Sequence, residues 1–147
     1  MASFFRVVFT LILLAASTAR AESPLTVNIW ARASIAGVPN AAVYGSFSNP
    51  GKQAIAIVGV SSQVAKSAMI HKTETKDGMV SMVPMKSLSV GPGQSRVCKP
   101  GKCHIMLMGL KRPLKPGDQF KLTLKLSSGR SQVVDVKVGG IAQMTAP

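Results

Sequence analysis

The chain contains two histidines, His71 and His104, and each lies in a predicted β-strand close to methionine. His104 opens the segment HIMLM, and successive side chains of a strand point to opposite faces. His104, Met106 and Met108 are therefore predicted to share one face of their strand. The isoleucine and the leucine between them are predicted to face the core. One imidazole and two thioethers thus lie side by side on one surface.

The other histidine lies in a predicted β-hairpin. Asp77-Gly78 is a two-residue turn signal typical of such hairpins. If these two residues form the loop, His71 faces Pro84, and Met82 lies diagonally across from His71 on the same side. Diagonal neighbours are about 7 to 8 Å apart at their Cα atoms, so the long side chain of Met82 and the imidazole can converge on one ion. Proline is poorly tolerated inside a ladder, which predicts a sheet edge or a bulge at Pro84.

Imidazole nitrogen and thioether sulfur together form a soft to borderline set of metal ligands. Thioethers bind magnesium, calcium and zinc poorly and bind Cu(I) well. Two neutral imidazoles and two neutral thioethers leave the charge of the ion uncancelled, which is tolerable only for a monovalent ion. The residue types therefore favour reduced copper. The alternative is a structural role for each residue, which we assign to Met79, Met85 and Met144, while Met108 is compatible with either role.

The strands that must position these residues are short. Apolar, β-branched segments alternate with turn signals such as NPG and PGD, and no segment shows a sustained helical period. This pattern favours an all-β fold, an antiparallel sandwich or barrel. The predicted strands are Leu25–Ala31, Ala41–Phe47, Ala54–Val60, Ala68–Thr75, Met79–Met85, Ser95–Cys98, Cys103–Leu110, Phe120–Leu126 and Gln132–Val138.

Residues 1–21 are predicted to be a secretory signal peptide, because an apolar run, Val7–Ala16, is followed by the small-residue motif ARA. Only 13 residues separate Arg6 from Arg20, whereas a helix needs about 20 to span a bilayer. We therefore expect no stable membrane insertion once this segment is removed. Residues 22–147 are predicted to form a single β-sandwich domain of an exported protein, with a short, loose C-terminal tail.

The spacing of the four candidate ligands resembles that of a known family. His71, Met82, His104 and Met106 follow the pattern H-x10-M-x21-H-x-M without a gap, as in the periplasmic copper chaperones of the PCu(A)C type. The segment HIMLMGLKRPLKPGD also resembles the signature stretch of that family. The likeness extends from Leu25 to about Val138 and includes the segments NAAVY, at residues 40–44, and VGVSS, at residues 58–62.

This resemblance implies a cupredoxin-like Greek-key β-sandwich in the periplasm that holds Cu(I) with His71, Met82, His104 and Met106. It also implies delivery of copper to the CuA or CuB site of cytochrome c oxidase, so the expected partner is an oxidase subunit or a Sco-type assembly factor. We expect the chaperone to be a monomer. Some members carry a His- and Met-rich C-terminal extension, but this tail has only Met144, and no second copper site is predicted.

Cys98 and Cys103 flank the loop KPGK and are predicted to face each other across a second hairpin. Facing strand residues lie about 4.5 to 5.5 Å apart at their Cα atoms, which is compatible with a disulfide. An oxidising compartment favours that bond, and it would lock the base of the strand that carries His104. The alternative is a thiolate that binds copper, although alternation directs Cys103 away from the His104 face.

The chain has a net charge of +13, which becomes +11 after loss of the predicted signal peptide. The lysines are scattered, and such a field can steer a copper donor onto an acidic acceptor. No nucleic-acid partner is expected, because only Trp30, Tyr44, Phe47 and Phe120 remain as aromatic residues for base stacking.

The sequence also bears on three other functional classes. An exported, metal-free β-sandwich module could bind an anionic partner through its basic surface. A blue-copper electron carrier requires a cysteine thiolate beside two histidines, and Cys103 points the wrong way for this. No nucleophile–base pair accompanies either histidine, so the chain is predicted not to be an enzyme.

Overall fold

The computed structural model describes residues 25–147, so the predicted signal peptide lies outside the described residues. The described part of the chain forms β-strands connected by turns. Among these residues, no helix is long and apolar enough to cross a lipid bilayer. In chain order, the strands are β1 (Thr26–Arg32), β2 (Asn40–Ser48), β3 (Ile55–Ser61), β4 (Ala65–Lys76), β5 (Met79–Pro84), β6 (Leu88–Val90), β7 (Ser95–Cys98), β8 (Cys103–Leu110), β9 (Gln119–Leu126) and β10 (Ser131–Gly139).

The strands pair in the order β5-β4-β8-β2-β1-β10-β9-β3-β6, and β7 pairs with β2 beside β8. All pairs are antiparallel except β1 with β10, which is parallel. The predicted all-β, predominantly antiparallel architecture is therefore confirmed. The important feature for the site is that β8 lies between β4 and β2.

The nine predicted strands are all present, with ends displaced by at most three residues. The predicted strands do not include β6, whose three residues Leu88–Val90 pair with β3. A segment this short contains too few residues to show an alternating pattern. Pro84, for which an edge or a bulge was predicted, ends β5, the outermost strand beside β4.

The core is a cluster of buried apolar residues that come from most of the strands. Ile70 of β4 and both Ile105 and Leu107 of β8 are buried in this core, so the predicted core-facing side of β8 is correct. The opposite side of β4 and β8 carries His71 and His104, and we call it the outer face.

Gly45 lies where β2 changes partner, from β8, which pairs up to Val43, to β7, which starts opposite Gly45 at Cys98. Its φ is +142°, and a Cβ atom there would lie 2.1 Å from the backbone oxygen of Asn28. A side chain at this position would therefore collide with β1, which glycine avoids.

We expect Gly45→Ala to lower the free energy of unfolding by more than about 2 kcal/mol, because neither the left-handed backbone nor the neighbouring strand can accommodate a methyl group. Urea denaturation would measure this loss. Gly59→Ala is the matched control, since a Cβ atom at Gly59 meets no atom closer than 3.5 Å. Equal stability of the two variants would contradict the proposed close approach.

Candidate metal centre

The β4–β5 hairpin has the register that the sequence predicts. Asp77 and Gly78 form its turn with φ values of 52° and 75°, as a two-residue primed turn requires. His71 pairs with Pro84, and Thr73 pairs with Met82. Met82 is therefore the diagonal neighbour of His71 on the same face, as predicted.

Pairing of β4 with β8 brings the two histidines together. His71 and His104 are direct cross-strand partners. Their ring centroids are 5.7 Å apart, and the rings meet edge to face at 78°. The two imidazoles can therefore approach one small ion from adjacent strands.

The same ladder places a methionine pair beside the histidine pair. Met69 of β4 is the direct partner of Met106 of β8, and both residues lie two positions from a histidine on their own strands. Side chains two positions apart share a face, so Met69, Met106, His71 and His104 form a block on the outer face. Met69 is not among the ligands predicted from the sequence. The available signal was its position two residues before His71.

Met108 is not part of this block. It pairs with Ser67 of β4 and with Asn40 of β2. It lies four residues from His104, or about 13 Å along the strand. The predicted auxiliary contact of Met108 with the same ion is therefore not supported by its placement.

The nitrogen and sulfur donors differ in exposure. The side chains of His71 and His104 are buried, with 9% and 5% of their surface exposed. Met69 and Met82 are 49% and 60% exposed, and Met106 is half-buried. The imidazoles therefore form the floor of the candidate site, and the thioethers lie between this floor and the solvent.

A row of aromatic rings buries His104 on the outer face. Trp30 and Tyr44 are cross-strand partners with centroids 5.3 Å apart, and the Tyr44 ring lies 6.1 Å from His104. The guanidinium of Arg32 lies 5.4 Å from the centre of the Tyr44 ring. The row fixes the imidazole of His104 between Tyr44 on one side and His71 on the other.

The electrostatic environment favours a neutral His104. Burial lowers the pKa of the His104 imidazole below its ordinary value of 6.5, and the neighbouring His71 lowers this pKa further. The buried Nδ1 atom of His71 has no hydrogen-bond partner. An unpaired buried nitrogen normally requires an explanation, and a metal ion bound at the imidazole pair would provide one.

Oxygen and thiolate donors do not complete the site. Within residues 25–147, no three His, Cys, Asp or Glu side chains come together in a way that could hold a metal ion. The donor set around the histidine pair therefore consists of two imidazoles and neighbouring thioethers. This set is soft and neutral, which suits Cu(I) and is unfavourable for calcium, magnesium or zinc.

Cys98 and Cys103 form a disulfide, with their Cα atoms 4.5 Å apart. The predicted second hairpin, however, is wrong: β7 and β8 follow each other along the same edge of β2, opposite Gly45 and Val43 respectively. The bond therefore connects two strands that share a neighbour, rather than two strands of one ladder. Since both cysteines of the chain are in this bond, neither supplies the thiolate of a blue-copper centre.

Part of the C-terminal tail contacts β1 through Arg32. Arg32 donates hydrogen bonds from Nε to the carbonyl oxygen of Gln143 at 2.8 Å and from Nη2 to Sδ of Met144 at 2.7 Å. The side chain of Gln143 in turn accepts a hydrogen bond from the backbone of Gly140. Arg32 thus links the tail to the Tyr44 ring beside the histidines.

Comparison with solved structures relates the chain to a known fold. The copper-bound PCuAC domain from PmoF2 superposes with a TM-score of 0.68 at 19% identity, covering 82% of this chain and 96% of that one. The solution structure of CuI-DR1885 from Deinococcus radiodurans has a TM-score of 0.59 at 30% identity and covers 85% of each chain. The protein is therefore a cupredoxin-like domain of the PCuAC type, and the resemblance drawn from the sequence is confirmed.

Residues 26–138 match the family described as "Putative lipoprotein LpqE-like", and the chain belongs to this family. A curated relative, "Putative lipoprotein Lxx21020" of Leifsonia xyli subsp. xyli, is 37% identical over 110 residues. These residues make up 74% of this chain, and the chain spans 65% of the length of that relative.

The lowered pKa of His104 predicts a stability change in acid. The unfolded chain takes up a proton at His104 near pH 6.5, whereas the folded protein resists this proton. Falling pH therefore favours the unfolded state, and we expect the free energy of unfolding of the metal-free protein to decrease below pH 6.5.

Urea denaturation from about pH 8 to about pH 5 would measure this decrease. His104→Gln provides the control, because its amide does not titrate. The stability difference between the wild type and the variant should change over this interval. A difference that stays constant would show that burial does not perturb His104.

Proposed function

We propose that the protein is a periplasmic copper chaperone that binds one Cu(I) ion between His71, Met82, His104 and Met106 and delivers it to the copper centres of cytochrome c oxidase. The observation that carries this proposal is the buried pair of facing imidazoles, one with an unpaired Nδ1, beneath exposed thioethers. CuI-DR1885 of Deinococcus radiodurans, which is 30% identical to this chain, supports the same cargo.

The arrangement suits a protein that carries a metal ion rather than one that keeps the ion as a permanent cofactor. Neutral ligands leave the positive charge of Cu(I) uncancelled, so the complex is held by soft-ligand bonds and not by ion pairing. The half-exposed thioethers are accessible to an approaching protein. We infer that an acceptor replaces these ligands one at a time, and that the role is transfer and not catalysis.

The surface charge supports an acidic acceptor. Lys99 and Lys102 lie in the loop between the two cysteines, close in the chain to His104, and both are exposed. Lys99 and Lys102 make no ion pair within residues 25–147. Such cations increase the rate of encounter with a negatively charged surface. The proposed acceptor is an oxidase subunit or a Sco-type assembly factor, approached by a monomeric chaperone.

The proposed location is the periplasm. The predicted signal peptide at residues 1–21 and the lipoprotein description of the curated relative both support export to the cell envelope. The disulfide between Cys98 and Cys103 is consistent with an oxidising compartment.

Titration of the metal-free protein with Cu(I) in competition with a chelator would test the proposed function. We expect a one-to-one complex, and X-ray absorption should count two nitrogen and two sulfur neighbours. Failure of the folded protein to bind Cu(I) would refute the chaperone and would favour a metal-free binding module.

Two methionines allow a matched test of the sulfur ligands. Met106 lies on the outer face beside His104, whereas Met85 packs against the core. We expect Met106→Ala to weaken Cu(I) binding by at least about tenfold. Met85→Ala should lower stability by about 2 kcal/mol and leave the Cu(I) affinity nearly unchanged.

Competition titration and urea denaturation of both variants would separate the two effects. The competition titration requires a pH at which both variants are folded. Equal losses of Cu(I) affinity would contradict the assignment of Met106 to the outer face as a ligand.

A further inference from the structure

The candidate site contains one more thioether than four-coordinate copper needs. Along the direction of β4, one thioether lies before the histidine pair and another lies after it. On one side, Met69 lies two positions before His71 and faces Met106. On the other side, Thr73 lies two positions after His71 and faces Met82. Met69 on β4 therefore adjoins both imidazoles, whereas Met82 on β5 adjoins His71 from the other side.

Packing does not explain the presence of Met69. Half of its surface is exposed, and it does not belong to the core or to the apolar residues packed against the core. Met85, by contrast, packs against that core. Met79 is also exposed, but it faces Lys76, whose side chain lies on the opposite face of β4 from His71. Of these three methionines, only Met69 joins the outer face beside the histidine pair.

The side chains of Met69 and Met82 are both long enough to reach an ion at the histidine pair. Directly facing residues of an antiparallel pair lie about 4.5 to 5.5 Å apart at Cα, and diagonal neighbours about 7 to 8 Å apart. Met69 faces Met106 directly and is the diagonal neighbour of His104. This relation to His104 is the same as that of Met82 to His71. Met69 also lies two positions from His71 on β4, so its sulfur can reach a copper ion at the imidazoles.

We propose that Met69 is a fifth copper donor, which exchanges with Met82 as the second thioether on Cu(I). This inference rests on the proposed function. In the exchange, a bond from Cu(I) to Sδ of Met69 forms while the bond to Sδ of Met82 breaks. Copper stays monovalent, and no proton or electron moves. His71, His104 and Met106 hold the ion throughout.

The exchange gives an acceptor two routes to the ion. Both exchangeable sulfurs are exposed, whereas the two imidazoles are buried. An incoming ligand can therefore take the position of Met82 while Met69 binds, or the reverse. The ion then keeps its coordination number during the first step of transfer.

Sulfur counting by X-ray absorption on Cu(I)-loaded variants would test the exchange. We expect Met82→Leu and Met69→Leu each to retain two sulfur neighbours, because the remaining methionine substitutes for the lost one. The double variant should retain one sulfur and bind Cu(I) at least about tenfold more weakly than either single variant. A count of one sulfur in either single variant would overturn the proposal.

Met79→Leu is the matched control, since it removes an equally flexible, exposed thioether from the other face of the hairpin. Leucine conserves the side-chain volume of methionine, and thermal unfolding would verify that each variant is folded. If Met79→Leu in the Met82→Leu background lowers the sulfur count as Met69→Leu does, the assignment to Met69 is wrong.

The rate of Cu(I) transfer to a chelator provides an independent readout. We expect Met69→Leu to slow transfer several-fold while changing the equilibrium affinity much less. Unchanged transfer would overturn the exchange, and the proposed function would still stand. Absence of Cu(I) binding by the wild type would instead refute the proposed function itself.

Discussion

The candidate site depends on the pairing of β4 with β8. A shift of this ladder by one residue would turn every side chain of one strand to the opposite face. Ile70 and Ile105 face each other in the core, and this buried pair fixes the register that places His71 opposite His104 on the outer face. The hydrophobic effect therefore positions the two histidines, the proposed ligands, on the face opposite the core.

The local parts of the site could be predicted from the sequence. The Asp77-Gly78 turn determines which residues of β4 and β5 face each other, and alternation determines which side chains of β8 share a face. Both predictions need only residues that are near each other in the chain. The all-β class likewise follows from short apolar segments separated by turn signals.

The non-local parts could not be predicted in the same way. Nothing near His71 or His104 in the chain indicates that β8 inserts between β4 and β2, since such pairings are decided by the packing of the whole sheet. The same reason explains the error for β7 and β8, which the sequence placed in one hairpin. Alternation alone places Met69 on the face of His71, but only its partner across the ladder, Met106, shows that it lies at the histidine pair.

The division between buried nitrogens and exposed sulfurs fits the opposing demands on a copper carrier. Burial lowers the pKa of His104, so protons compete less with the metal for this imidazole. If every ligand were buried, however, an acceptor protein could not reach the ion. Flexible thioethers at the surface avoid this, because methionine can move away from the ion without leaving an uncompensated charge. Under the proposed function, tight binding of Cu(I) therefore depends on the two buried imidazoles, and its release depends on the exposed thioethers.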